Sequence, residues 1–244
     1  MHEATEQCRL TPTVAICLSG SGGQGLILAG RLLAEAAALY DGLDVVQTNS
    51  YGPEARGGAS RSEVVIGRGE IDILHTPTVD ALICLTQASC DAYFHHLVPH
   101  GLLITDADLV TVLPTSRALE VPMSALARKE VGNVMVANVV ALAVLCAVSK
   151  IVTREALTAA IKARVPPAHR ESNCKAIEVG FAAAESALAQ NSPKLRALCP
   201  DFSYIRREPT LPHGVRLVAR ATSQSEPRLE LVKTGDSAKQ VGQI

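Results

Sequence analysis

A chain of 244 residues, 48% hydrophobic and 19% charged, is long and apolar enough to bury one large domain, or one domain with an appendage, and is not globally disordered. A formal net charge of −1 and an aromatic content of 3%, with no Trp, provide neither the basic patch nor the stacking platform that nucleic-acid binding uses. The apolar stock is Ala, Val, Leu and Ile, which favours helices packed on a buried parallel sheet over a β-sandwich.

In chain order, Met1 to Gln7 lacks the basic start and apolar centre of a signal peptide. The first element is an apolar run, Val14 to Leu18, that reads as a strand. It breaks into Ser19-Gly20-Ser21-Gly22-Gly23-Gln24-Gly25, then resumes as an Ala/Leu-rich helical pattern from Leu26 to Tyr40. Apolar, Ala or Gly residues at 26, 29, 30, 33, 34 and 37 share one helical face, so the unit is strand, glycine-rich turn, helix. Gly20, Gly22 and Gly25 fit G-x-G-x-x-G, and free N–H groups at the start of the helix suit an anion such as a phosphate. A tight strand-to-helix turn can also require glycine with no ligand present.

Asp41-Gly42 turns the chain into a second strand, Leu43 to Thr48. A dinucleotide-binding unit places Asp or Glu near the end of this strand to hold the ribose hydroxyls, whereas this chain has Gln47, Thr48, Asn49 and Ser50, which argues against NAD. A second glycine-rich loop follows, Ser50-Tyr51-Gly52-Pro53-Glu54-Ala55-Arg56-Gly57-Gly58-Ala59-Ser60. Two readings fit it: Glu54 and Arg56 pair locally in a structured turn, or Arg56 projects toward a phosphate, a carboxylate or a partner chain. The two glycine-rich loops are expected at the same sheet edge.

Further strands are expected at Glu63 to Ile66, Ala81 to Leu85, Leu102 to Thr105 and Ala118 to Met123, with a short edge strand at Ile71 to Leu74. Helices are expected from Thr86-Gln87 to Leu97, ended by Pro99-His100-Gly101, and over Gly132 to Val148, apolar nearly all round and hence central. Asn133 can cap that central helix, while Asn138 within it needs a buried partner or a subunit contact. An amphipathic helix over Thr153 to Arg164 and a last one over Glu171 to Ala189, separated by Pro166-Pro167, complete the pattern. Asp106 with Asp108 reads as a solvated turn or helix cap, and His95, His96 and His100 surround a helix end with no chemistry assigned.

The seven cysteines, Cys8, Cys17, Cys84, Cys90, Cys146, Cys174 and Cys199, form no C-x-x-C and no local run, so they read as small buried hydrophobes in a reducing compartment. An iron–sulfur cluster held by this chain is not expected, nor is any other metal. The longest apolar stretch, Val134 to Val148, is too short to span a bilayer, and the expectation is a soluble cytoplasmic protein. The expected fold is α/β, an open, mainly parallel Rossmann-like sheet flanked by helices over residues 11–189. An irregular C-terminal extension follows over 190–244, where Pro193, Pro200, Pro209, Pro212 and Pro227 interrupt any period.

The paired loops Gly20-Ser21-Gly22-Gly23-Gln24-Gly25 and Ser50-Tyr51-Gly52-Pro53-Glu54-Ala55-Arg56-Gly57-Gly58 resemble those of the gamma subunit of 2-oxoacid:ferredoxin oxidoreductases, in the form of the 2-oxoglutarate branch. Leu85-Thr86-Gln87, the helix carrying Asn138, and Asn173-Cys174-Lys175-Ala176 extend the resemblance, which covers about residues 11 to 187 and leaves the tail outside it. It implies a multisubunit enzyme that oxidatively decarboxylates a 2-oxoacid to an acyl-CoA and reduces ferredoxin. Thiamine diphosphate and iron–sulfur clusters would lie in alpha, beta and ferredoxin-like delta partners. The gamma chain would assist assembly and contact coenzyme A, with no catalytic residue of its own. Under that resemblance Gly20, Ser21, Gly22, Gly23, Gln24 and Gly25 face the CoA phosphates, Arg56 is a charge partner for CoA or a neighbouring subunit, and Tyr51 packs around the site. The competing readings are a scaffold subunit whose glycine loops serve close interchain packing, and a stand-alone nucleotide-binding oxidoreductase.

Overall fold

The computed structural model describes residues 13–50, 59–69, 71, 77–190, 199–206, 215–221 and 227–233. The chain divides into two compact units, Met1–Arg206 and Arg207–Ile244. In the first unit the elements run β1 (Thr13–Ser21), α1 (Leu26–Glu35, continued by a π-helical turn Ala36–Tyr40), β2 (Asp44–Ser50), β3 (Ala59–Gly67), β4 (Val79–Cys84) and α2 (Gln87–Tyr93). They continue with β5 (Leu97–Asp106), β6 (Ala118–Val121), α3 (Met123–Leu126), α4 (Ala137–Ser149), α5 (Arg154–Arg164) and α6 (Pro167–Gln190). The second unit holds an antiparallel strand pair, β7 (Val215–Ala221) and β8 (Pro227–Lys233).

The six-stranded sheet has the order β2-β3-β1-β4-β5-β6. Strands β1, β4, β5 and β6 are parallel, and β3 runs antiparallel between β1 and β2. The mainly parallel α/β sheet is therefore present, with a β2–β3 hairpin at one margin. Alternation along the strands sends Val14, Ile16, Leu18, Val64, Ile66, Ile83 and Ile104 to a thick core with α1, α4, α5 and α6. The other face sends Cys17, Val65, Leu82, Cys84 and Leu103 to a thinner layer with Cys90 of α2.

Every residue of α4 except Ala147 is buried, as expected for a helix apolar all round. α4 begins five residues later than the sequence pattern indicates, because Asn133 Oδ1 accepts from Met135 N at 2.9 Å and caps a 3-10 turn, Val134–Val136, first. α6 begins earlier than expected, at Pro167. Proline lacks the N–H that a first helical residue leaves unbonded anyway, so Pro166 stays outside and Pro167 opens the helix. Pro99, His100 and Gly101 lie inside β5 and do not end a helix; the register against β4 slips between Val79 and Ala81, so these residues bulge from the ladder. His95 and His96 sit in a 3-10 turn after α2. The short edge strand expected from Ile71 to Leu74 falls, at positions 72–74, outside the described residues. Among the described residues no helix is long and apolar enough to cross a membrane.

Residues 199–206 belong to the first unit. Phe202 and Ile205 are buried in the thick core, which carries that unit past position 189 to Arg206.

Candidate functional site at the carboxyl edge of the sheet

The helix after β1 packs on the thick face of the sheet and the helix after β4 on the thin face. The carboxyl ends of β1 and β4 thus flank a point where the chain turns to opposite sides, the place where open α/β sheets leave a crevice. The glycine-rich turn occupies the β1 side of that point.

Within the turn, Gln24 N donates to Ser21 O at 3.3 Å, and Ser21 N donates to Gln24 Oε1 at 2.8 Å. Ser21 N–H and Gln24 Oε1 therefore satisfy each other and do not point to a ligand. Gly20 lies beneath that side chain, and a Cβ there would meet Gln24 Oε1. Gly23 and Gly25 take left-handed φ values of 91° and 73°, a conformation that glycine adopts without strain. Gly25 is the N-cap of α1, and no side chain caps the helix. The amide groups of its first turn consequently lack intrahelical acceptors. Gly22 has no left-handed φ, and a Cβ built on it or on Gly23 would meet nothing within 4 Å. Both are exposed. Of the six loop residues, Gly22 and Gly23 are the open ones.

Asn138, buried at 4% exposure, holds the turn from behind: its Nδ2 donates to Gly25 O at 3.0 Å, and its Oδ1 accepts from Val139 N at 2.9 Å. This is the buried partner that the polar residue in an apolar helix requires. Beside the turn, Leu85 N donates to Ser19 O at 2.9 Å, and Thr86 caps α2 through a reciprocal pair with Ser89. Gln87 Oε1 accepts from Thr111 N and Val112 N at 3.0 Å each, fastening the loop after β5 to the start of α2. Asp106 is buried and acts as a cap, its Oδ2 accepting from Ser124 N at 2.8 Å and its Oδ1 from Asp108 N at 3.1 Å. The sequence pattern points to Gln87 and Asn138 without their partners and gives no role to Ser19, whose Oγ donates to Ile83 O at 2.7 Å.

The second glycine-rich loop, with Tyr51 and Arg56, lies outside the described residues. Its flanks are described: Ser50 pairs with Arg61, and Ala59 pairs with Ser21, so β2 ends and β3 begins at the edge where β1 gives way to the glycine turn. Arg61 Nη1 pairs with Glu63 Oε1 at 3.2 Å, and its guanidinium lies 5.1 Å from the centre of the Tyr93 ring. Cys17 lies on the same face, and burial, with the Glu63 charge second, pushes its thiol up to about 12. Cys146 is pushed up to about 12 chiefly by burial. Protonated thiols are neither nucleophiles nor metal ligands. Among the described residues no three His, Cys, Asp or Glu side chains converge to hold a metal ion.

A family model described as pyruvate ferredoxin/flavodoxin oxidoreductase matches residues 15–183. The 2-oxoglutarate synthase subunit KorC of Methanocaldococcus jannaschii is 42% identical over 174 residues, which is 70% of this chain and 93% of the relative. The solved gamma subunit of a keto/oxoacid ferredoxin oxidoreductase from Geobacter sulfurreducens is similar at 46% identity and a TM-score of 0.67, covering 72% of this chain and 98% of that one. The 2-oxoglutarate:ferredoxin oxidoreductase of Magnetococcus marinus, solved with 2-oxoglutarate, coenzyme A and succinyl-CoA bound, shares the fold at 21% identity and a TM-score of 0.65, over 85% of this chain and 35% of that one. The chain belongs to the pyruvate ferredoxin/flavodoxin oxidoreductase family, among its gamma subunits.

Proposed function

We propose that this chain is the gamma subunit of a 2-oxoglutarate:ferredoxin oxidoreductase and that its glycine turn faces coenzyme A. The enzyme takes 2-oxoglutarate and CoA to succinyl-CoA and carbon dioxide, and passes the electron pair to ferredoxin. Thiamine diphosphate and the iron–sulfur clusters belong to partner chains, and none of the described residues of this chain acts on the scissile bond. The observation that carries the CoA assignment is the open Gly22-Gly23 surface beside an uncapped helix start at the sheet's switch point. Such a start offers backbone N–H groups and a positive dipole end to a phosphate. Arg56, on the neighbouring loop, is the proposed cationic partner of CoA or of an adjoining subunit, and Tyr51 the proposed packing residue.

One observation favours a scaffold role at the same edge. Leu28 in the first turn of α1, Val112 after β5, and Val134 and Met135 before α4 are large apolar side chains left 41%, 67%, 41% and 63% exposed. Apolar side chains gathered around a polar site suit contact with another chain.

Gly22→Val in the assembled complex separates the two. The substitution has room, so the isolated chain keeps its stability. CoA contact predicts an intact complex whose KM for CoA rises by roughly tenfold or more with kcat retained. A complex that no longer assembles supports the scaffold role, and unchanged assembly with unchanged KM excludes contact at Gly22. Arg56→Ala, assayed in parallel, assigns that residue to CoA or to assembly by the same two readouts.

A further inference from the structure

We propose that residues 199–206 are an anchor that fastens the chain beyond α6, up to Arg206, on the sheet edge opposite the glycine turn. The family match ends at position 183, so this segment lies beyond what the chain shares with the family model. Three independent contacts hold it. Arg68, just past β3, forks onto two successive carbonyls, Nε to Ile205 O at 2.7 Å and Nη2 to Arg206 O at 2.6 Å. A guanidinium provides that planar pair of donors and an ammonium does not. Phe202 and Ile205 bury their side chains, 6% and 1% exposed, in the thick core. Lys150 Nζ reaches Asp201 Oδ2 at 2.8 Å, while Asp201 Oδ1 accepts from Ser203 N at 2.9 Å and starts the 3-10 turn Phe202–Arg206.

Topology gives the location. Gly67, the residue before Arg68, pairs with Thr13 and Asp44, the first residues of β1 and β2. Lys150 ends α4, whose other end carries Asn138 behind Gly25. The 13 residues of α4 span about 20 Å, so the anchor and the glycine turn sit at opposite edges of the sheet.

Lys150 adds a separate indication. Among the described residues it is the non-glycine residue with a positive φ, 54°, at the α4 C-cap, a position where glycine is favoured. A lysine there keeps a side chain that can reach Asp201, which glycine lacks.

Amide hydrogen exchange on the full-length chain tests the anchor. In the wild type the amides of 202–206 are protected. Arg68→Ala and Arg68→Lys both speed their exchange by roughly tenfold or more, while α1 and the glycine turn keep their rates. Lys150→Gly removes the Asp201 contact and so speeds exchange at 202–206, while relief of the left-handed backbone keeps the melting midpoint from falling. Unprotected amides at 202–206 in the wild type overturn the proposal, as does a uniform acceleration across the whole chain in the Arg68 variants. Unchanged rates at 202–206 in both the Arg68 and Lys150 variants overturn it as well.

Discussion

At the scale of single residues, the glycine turn separates three reasons for having glycine. Gly23 is needed for its φ alone, since a Cβ there has open space; Gly25 is needed for its φ and because a Cβ would lie 2.5 Å from Asn138 Nδ2. Gly22 is needed for neither within this chain. A left-handed φ at a non-glycine residue costs about 1–3 kcal/mol, and displacing the Asn138 amide forfeits a hydrogen bond worth about 0.5–1.5 kcal/mol more. Gly25→Ala is therefore expected to destabilise the chain by about 1 kcal/mol more than Gly23→Ala in urea unfolding, with Gly22→Ala near zero. A double-mutant cycle of Gly25→Ala with Asn138→Ala should be non-additive, because both changes break the same contact. Additivity would mean that the two residues act independently. The glycines are legible from their spacing, but their separate roles are not. Those depend on a hydrogen bond between residues 113 apart in sequence, which no local pattern encodes.

At the scale of elements, helix packing sets glycine's steric role against its poor helix propensity. Gly180 lies where α6 crosses α4, and a Cβ there would come within 2.5 Å of Ala143 Cβ and 2.6 Å of Val140 O. Propensity alone predicts that Gly180→Ala gains about 1 kcal/mol, while overpacking a close crossing costs about 1–3 kcal/mol. Backbone on one side cannot give way as a flexible side chain can, so the expected result is a net loss in thermal unfolding. α1 and α5 are joined differently, through Glu35, which pairs with Arg164 and, at 3.1 Å, with Arg31. The Arg164 hydrogen bond, then Arg31, holds the Glu35 carboxyl below the usual range. A carboxyl lowered in the folded state adds stability above its unfolded pKa, about 4.3, and loses it as pH falls through the lower folded value. Wild type and Glu35→Gln should thus differ in melting midpoint above about pH 5 and converge in acid, once the pH has fallen through the lower folded value. A difference that persists there would assign the effect to packing. Periodicity finds α1, α4 and α5 because their apolar stripes are local. It misses the direction of β3, since alternation in Arg61 to Gly67 is the same whichever way the strand pairs, and it misses the start of α6, since Pro166-Pro167 reads equally as a breaker or a first turn.

At the scale of the whole molecule, the two faces of the sheet are covered unequally. One carries α1, α4, α5, α6 and the anchor residues Phe202 and Ile205; the other carries the seven-residue α2 and loops among the described residues. With 3% aromatic residues, both layers are filled mostly by small and branched side chains, so few large neighbours can swing in to recover volume lost at one position. The difference between the faces then lies in whether the covering elements can follow the missing volume. Leu142 is fully buried in α4, which packs against α6 and touches α1, α3 and α5, so its surroundings are held by helices on several sides. Leu103 is 1% exposed on the thin face, beneath a short helix and the loop around Val110 and Leu113. Large-to-small core changes cost about 2–5 kcal/mol, the lower end where the site collapses and the upper end where a cavity remains. Leu142→Ala should therefore fall near the upper end and Leu103→Ala near the lower, as a larger drop in the urea midpoint for Leu142→Ala at an unchanged slope. Equal or reversed costs would mean that the thin face is as tightly braced as the thick one, and that its loops behave as part of the rigid core.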